Sequence, residues 1–210
     1  MSSSAISSPQ PSSNPSRDQV LEAARAIGQT LKTQTYAIVG GASCSILGSM
    51  RTTHDVDIVV PKGATKQARM LLKNDAELYD VDNKTLHTYY KSNPPVEIQI
   101  LASPSLFQET FDESTPVITI DGINVLKPTL ILNAKCRSIL GRRTGERKLA
   151  DAADIQFLLG WCSTNNCIPT AAEVPNASKE FIEWFIQGFG NGPMLELALK
   201  LGITKANAGP

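Results

Sequence analysis

The sequence predicts an α+β fold with α/β character: a mixed β-sheet flanked by helices, followed by a helical C-terminal region. Three observations carry this. Short apolar, partly β-branched runs (36–39, 55–60, 96–101, 117–126) alternate with segments of helical periodicity in the first two thirds of the chain. Asp121-Gly122 between two such runs is the residue pair that a tight type I′ hairpin turn demands. After Pro128 the apolar residues recur at helical spacing only.

Composition sets the outer bounds. At 210 residues with 41% apolar side chains, the chain can bury a core of ordinary size. Twenty basic and twenty acidic residues give a formal net charge of zero, so any attraction for an anion has to be local. Cys44, Cys136, Cys162 and Cys167 lack the spacing of a disulfide framework, and no second Cys or His pair accompanies the last two to suggest zinc. Reduced thiols and a cytoplasmic or nuclear setting are expected. No apolar run approaches twenty residues and none opens the chain, so neither a membrane span nor a secretory signal is expected.

Residues 1–16, rich in Ser and Pro, are expected to form a disordered tail, followed by a core over 17–128 and a helical region over 129–205. From Asp18, a possible cap, to about Lys32, Val20, Leu21, Ala24, Ile27 and Leu31 mark one face of a helix. Tyr36–Val39 suits a buried strand. Gly40 and Gly41 end it and let the backbone turn with no Cβ to obstruct a bound group. Ala42, Ser43 and Ser45 keep the start of the next short helix open, where free N–H groups favour a phosphate, and the Ser43 hydroxyl could add a bond. In the strand 55–60, Asp55 and Asp57 share one face and Val56, Ile58 and Val60 the other, placing the two carboxylates about 7 Å apart.

A helix over Thr65–Lys73 returns the chain to the sheet. Strands over Leu78–Val81 and Thr85–Tyr90 flank a turn at Asp82-Asn83-Lys84. His87, Tyr89 and Tyr90 on the second of these either pack or touch a ligand. Val96–Leu101 alternates again, with Glu97 and Gln99 opposite Val96, Ile98 and Ile100. If it lies beside the Asp55–Val60 strand, Glu97 joins the two aspartates. Lys127-Pro128-Thr129 opens a helix whose apolar stripe contains Lys135, and a buried lysine needs an anionic partner. Seven basic residues and one acid fall between Lys127 and Lys148, around a loop at Gly141–Gly145. Asp151 and Asp154 follow at i, i+3 on a helix carrying Ile155, Leu158, Leu159 and Cys162. Ser178–Gln187 and Met194–Leu201 complete the helical region, and Lys205–Pro210 is expected to fray.

Gly40-Gly41-Ala42 followed by Arg51-Thr52-Thr53-His54-Asp55-Val56-Asp57 resembles the Gly-Gly … Asp-x-Asp signature of the nucleotidyltransferase superfamily. The run Lys135 … Arg142 … Arg147-Lys148-x-x-Asp151-x-x-Asp154 resembles the helix pair of its minimal, toxin–antitoxin-type members. The likeness covers residues 36–159 and implies a polymerase-beta-like palm that moves a nucleoside monophosphate from a nucleoside triphosphate such as ATP to an acceptor. It implies Asp55, Asp57 and Glu97 as catalytic residues holding Mg²⁺ or Mn²⁺, with Glu97 a longer substitute for the family's usual Asp. It further implies triphosphate contacts from Gly40, Gly41, Ser43 and Lys135, with Lys148 and Asp151 bordering the cleft. Arg51 either offsets phosphate charge or braces its loop. The acceptor, whether RNA, a small hydroxylated molecule or a protein side chain, is not legible.

Two other readings compete. A nucleotide-binding or interaction protein could keep the fold without transfer. A Mn²⁺-dependent glycosyltransferase would use Asp-x-Asp but leave the Gly-Gly turn, Arg51-Thr52 and Glu97 unexplained.

Overall fold

The computed structural model describes residues 14–104 and 106–190. The expected tail up to residue 13, the Met194–Leu201 helix and the fraying end at Lys205–Pro210 lie outside the described residues.

Helix α1 (Arg17–Thr30) begins a residue earlier than expected because Ser16, not Asp18, caps it. The Ser16 hydroxyl accepts from the Gln19 N–H at 3.3 Å, and the Gln19 side chain accepts from the Ser16 N–H at 2.8 Å, a reciprocal capping box. Strand β1 (Ala37–Val39) is wholly buried and passes directly into the seven-residue helix α2 (Gly40–Ile46). Strand β2 (Asp55–Val60) has the predicted bounds, and α3 (Thr65–Asn74) follows. Strand β3 (Tyr79–Val81) begins one residue later than expected, and β4 (Thr88–Tyr90) is three residues shorter than the expected Thr85–Tyr90. The turn consumes those residues: the Asp82 carboxylate accepts from the Lys84 and Thr85 N–H groups at 2.7 and 2.8 Å, and Leu86 sits at φ 63°.

Strand β5 (Val96–Ala102) precedes the hairpin of β6 (Val117–Ile120) and β7 (Ile123–Leu126). Asp121 and Gly122 both lie at positive φ, 49° and 79°, as a type I′ turn requires. Helices α4 (Pro128–Gly141), α5 (Gly145–Thr164) and α6 (Lys179–Phe189) follow, α4 with Pro128 in its first turn, α5 capped by Thr144 and α6 by Ser178.

The seven strands form one mixed sheet in the order β3-β4-β5-β2-β1-β7-β6. Strand β1 runs parallel to β7, and β2 runs parallel to β5; the other neighbours are antiparallel. The central strands are the most deeply buried, with Ile38, Val56, Ile58, Val59 and Val125 fully inaccessible. Helix α1 lies against β7, β2 and β5, α3 against β3 and β5, while α4 packs on β7 and along α5. Cys44, Cys136 and Cys162 are buried free thiols within this core, and Cys167 is half-buried. Among the described residues no helix is long and apolar enough to cross a membrane.

Candidate active site

The parallel β2–β5 pair sets the site. Its register places Asp55 opposite Glu97 and Asp57 opposite Gln99, so the alternation read from each strand brings the three carboxylates to one region of the sheet. Burial first, and then the negative charge of Asp55, push the Asp57 carboxyl up to about 7, against the lowering influence of Lys135 and Arg142. Asp55 accepts from the Thr53 hydroxyl at 3.0 Å. Glu97 is partly exposed and turned toward His87, with Oε1 3.3 Å from Nδ1. His87 stacks on Tyr89, which lies opposite Glu97 on β4, whereas Tyr90 is buried edge-on against Tyr79. Of the three aromatic candidates, Tyr90 is therefore a packing residue, and the other two flank Glu97.

The glycine pair fits its surroundings tightly, though by a different logic from the one expected. Gly40 adopts φ +67°, and a Cβ there would lie 2.2 Å from Asp57 Oδ2. A Cβ on Gly41 would lie 2.6 Å from both Arg51 Nη2 and Thr53 Oγ1. Gly41 is thus covered by the protein's own side chains rather than open to a bound group. Ser43 departs from expectation in the same way: it is fully buried, and its hydroxyl donates to the Gly40 carbonyl at 2.7 Å. Gly40→Ala is expected to cost about 2 kcal/mol, since a left-handed residue with a Cβ already costs roughly 1–2 kcal/mol before Asp57 is displaced. Thermal unfolding checks this; an unchanged midpoint would show that the contact is slack.

Lys135 is buried, as its place in the apolar stripe implies, but the anion it needs comes from the chain itself. Its ammonium lies 2.8 Å from Asp151 Oδ1 and 2.7 Å from Asp154 Oδ2. Burial alone would push it down, but the two aspartates more than offset this and hold it above the ordinary lysine value. Arg51 grips Asp154 with both ends of its fork, Nε to Oδ1 at 2.6 Å and Nη2 to Oδ2 at 2.9 Å, and donates to the Thr52 carbonyl at 2.9 Å. Of its two expected roles, bracing the loop is the one its contacts display. Asp151 also accepts from Arg142 Nε at 2.6 Å and from the Ser138 hydroxyl at 2.8 Å. Burial raises its pKa, but Arg142 and then Lys135 outweigh that and hold the carboxyl below its usual range. The result is a ladder of alternating charge, Arg51–Asp154–Lys135–Asp151–Arg142, tying the loop before β2 to α4 and α5.

A cavity of about 510 Å³ adjoins this ladder. Gly40, Asp57, Lys135, Ser138 and Arg142 are among the residues that line it; Asp55, Glu97, Lys148 and Asp151 do not border it. Lys148 is half-exposed on the first turns of α5. Two members of the ladder, Arg142 and Asp154, were visible in sequence as part of the basic run and the i, i+3 acidic pair. Gln99, Glu109 and Arg137, which also line the cavity, were not assigned to a site: Glu109 lies in the aperiodic stretch between β5 and β6, which carries no local signal.

No protein-family model matches the sequence, and none of the curated proteins searched does. Solved structures do match. An antigenic nucleotidyltransferase-like protein from Paracoccidioides brasiliensis superposes with a TM-score of 0.65 at 24% identity, covering 89% of this chain and 94% of that one. A candidate nucleotidyltransferase from H. pylori gives 0.56 at 14% identity, over 89% of this chain and 93% of that one. The chain therefore shares the fold of these two structures, a mixed sheet flanked by helices.

Proposed function

We propose that the protein is a divalent-cation-dependent nucleotidyltransferase that moves a nucleoside monophosphate from a nucleoside triphosphate to a hydroxyl acceptor. The observation that carries this is the register of β2 and β5, which brings Asp55, Asp57 and Glu97 to one region of the sheet, with Asp57 lining a cavity that Lys135 and Arg142 also line.

The donor set suits a hard cation, Mg²⁺ or Mn²⁺. All candidate donors are carboxylate oxygens; burial first, and then the charge of Asp55, push Asp57 up to about 7, and a cation would relieve the second of these. Among the described residues no three acidic, His or Cys side chains converge as a ready ligand cluster, because Glu97 faces His87. Asp55 and Asp57 would hold the ion, with Glu97 joining on leaving His87. When bound, the ion supplies neutralisation of the triphosphate and a lowered pKa for the acceptor hydroxyl. Lys135 and Arg142, which line the cavity, would present positive charge to the phosphates, a positioning and electrostatic contribution of the kind phosphoryl transfer needs. Thr53 orients Asp55, and Gly40 leaves room for Asp57. Glu97, on the more open side, is placed to accept the acceptor's proton.

One observation favours the reading of a nucleotide-binding protein without transfer: the charge of Lys135 is already matched by Asp151 and Asp154. Titration calorimetry of ATP, CTP, GTP and UTP with and without Mg²⁺ tests the proposal. Wild type is expected to bind at least one triphosphate only with Mg²⁺, and Asp55→Ala to weaken that binding tenfold or more while keeping the fold. Cation-independent binding, unchanged in the variant, would support the binding-only reading instead.

A further inference from the structure

Two cysteines close the C-terminal end of helix α5. Asn165 is its C-cap, Asn166 turns left-handed at φ 55°, and the Cys167 N–H returns to donate to the Cys162 carbonyl at 2.9 Å. A six-to-one closure of this kind commonly brings the side chains at its two ends into contact. Here both ends are thiols, separated only by Ser163, Thr164, Asn165 and Asn166. That hydrogen bond and standard bond lengths keep the two Cα atoms within about 7 Å, the outer limit for a pair that can be bridged. The side chains also act on each other. Burial first, and then the neighbouring Cys167, push the Cys162 thiol up to about 12, with Lys127 acting in the opposite direction.

The two thiols differ in access. Cys162 is 1% exposed, whereas Cys167 is half-buried and the other three cysteines are buried. The Lys127 ammonium, paired with Glu173, is close enough to interact with both thiols. A cation beside a thiol favours the thiolate, which is the reactive form.

We propose that Cys162 and Cys167 form a reversible oxidation site that closes to a disulfide with a hydroperoxide as oxidant. The Cys167 thiolate attacks the peroxide: an S–O bond forms, the O–O bond breaks, and the leaving oxygen takes up the proton that the thiol gave up. The Cys162 sulfur then displaces hydroxide from the Cys167 sulfenic acid. An S–S bond forms, the S–O bond breaks, and the Cys162 proton leaves with the hydroxide as water. The two sulfurs together lose two electrons, which the peroxide gains, and a dithiol reverses the change. The site uses no residue of the candidate active site.

The test titrates the full-length protein, reduced and then freed of reductant, with hydrogen peroxide. Remaining thiols are alkylated after denaturation. Trypsin then releases Cys162 and Cys167 on one peptide, because no Lys or Arg stands between Lys148 and Lys179. The expected result is that peptide unalkylated and lighter by two hydrogens, from a chain that stays single on a non-reducing gel. Dithiothreitol should restore alkylation, and Cys44 and Cys136 should remain alkylated throughout. In Cys167→Ser, Cys162 should stay a thiol. In Cys162→Ser, dimedone should capture the stranded Cys167 sulfenic acid roughly tenfold more than in wild type. Circular dichroism checks that second variant, and the wild-type and Cys167→Ser results decide alone if it does not fold. Both cysteines still alkylated, or oxidised further without an S–S bond, would overturn the site. A bridge to Cys44, to Cys136 or to a second chain would overturn it as well.

Discussion

Asp154→Ala is expected to lower the thermal unfolding midpoint by roughly 10 °C. Asp154 is fully buried and carries two cations, Arg51 and Lys135, within 2.7 Å of its oxygens. Removing one partner of a buried ion pair costs about 3–5 kcal/mol, because the remaining charge stays desolvated. In a chain of this size each kcal/mol moves the midpoint by about 2–4 °C. Lys135 would retain Asp151, and the Arg51 side chain, one quarter exposed, can turn toward water, which places the loss toward the lower end of that range. A double-mutant cycle separates the causes. If stranded charge is responsible, Arg51→Met in the Asp154→Ala background should recover part of the loss. A midpoint within 2 °C of wild type for the single variant would show that the ladder adds nothing to stability.

The second large effect has the opposite sign. Asp57→Asn is expected to unfold at a higher temperature than wild type at pH 8 and at the same temperature near pH 4. The folded-state carboxyl titrates at about 7, against about 3.9 in an unfolded chain. Between those values the folded protein holds a proton that the unfolded chain has released, so raising the pH through this window destabilises wild type. Asparagine carries no such proton, and the difference between the two proteins isolates this residue from every other carboxylate. Three units at 1.36 kcal/mol each set an upper limit of about 4 kcal/mol. Partial exposure of the side chain brings the expected gap to about 1–3 kcal/mol. Differential scanning fluorimetry from pH 4 to 8 measures it. A gap independent of pH, or one that widens on acidification, would mean that Asp57 is ionised throughout. The stability cost at neutral pH is what a residue kept for binding rather than for folding should show.

What the sequence revealed was whatever is written locally. The alternation at Asp55–Val60 and Val96–Leu101 fixed which residues share a face, and the Asp121-Gly122 turn announced its hairpin. The lysine in the α4 stripe announced burial and a need for an anion. It could not say which anion, because Asp151 and Asp154 reach it only after the chain reverses between α4 and α5. The glycine pair announced a close approach, but the atoms that approach, from Asp57, Arg51 and Thr53, arrive through β2 and the loop before it. Glu109 was illegible for the same reason in its extreme form: the stretch around it has no period, and only the fold places it against Arg137 and the cavity. Ser16 is the exception, a local capping signal that competes with an acidic residue two positions later, which also suits a helix start.

The parallel pairing of β2 with β5 carries a kinetic consequence. Parallel neighbours cannot be joined by a tight turn, and here the chain detours through α3, β3 and β4 before β5 returns to lie beside β2. The Arg51–Asp154 contact spans 103 positions more distantly still. Each such closure loses chain entropy before any contact repays it. The Asp55–Glu97 register and the charged ladder are therefore products of non-local order: a nascent or partly folded chain can hold the β6–β7 hairpin or helix α1, yet possess no trace of the candidate site. Under the proposed function, competence to bind a triphosphate should appear only with the completed sheet, and binding would then be a stricter gauge of native structure in this protein than its helix content.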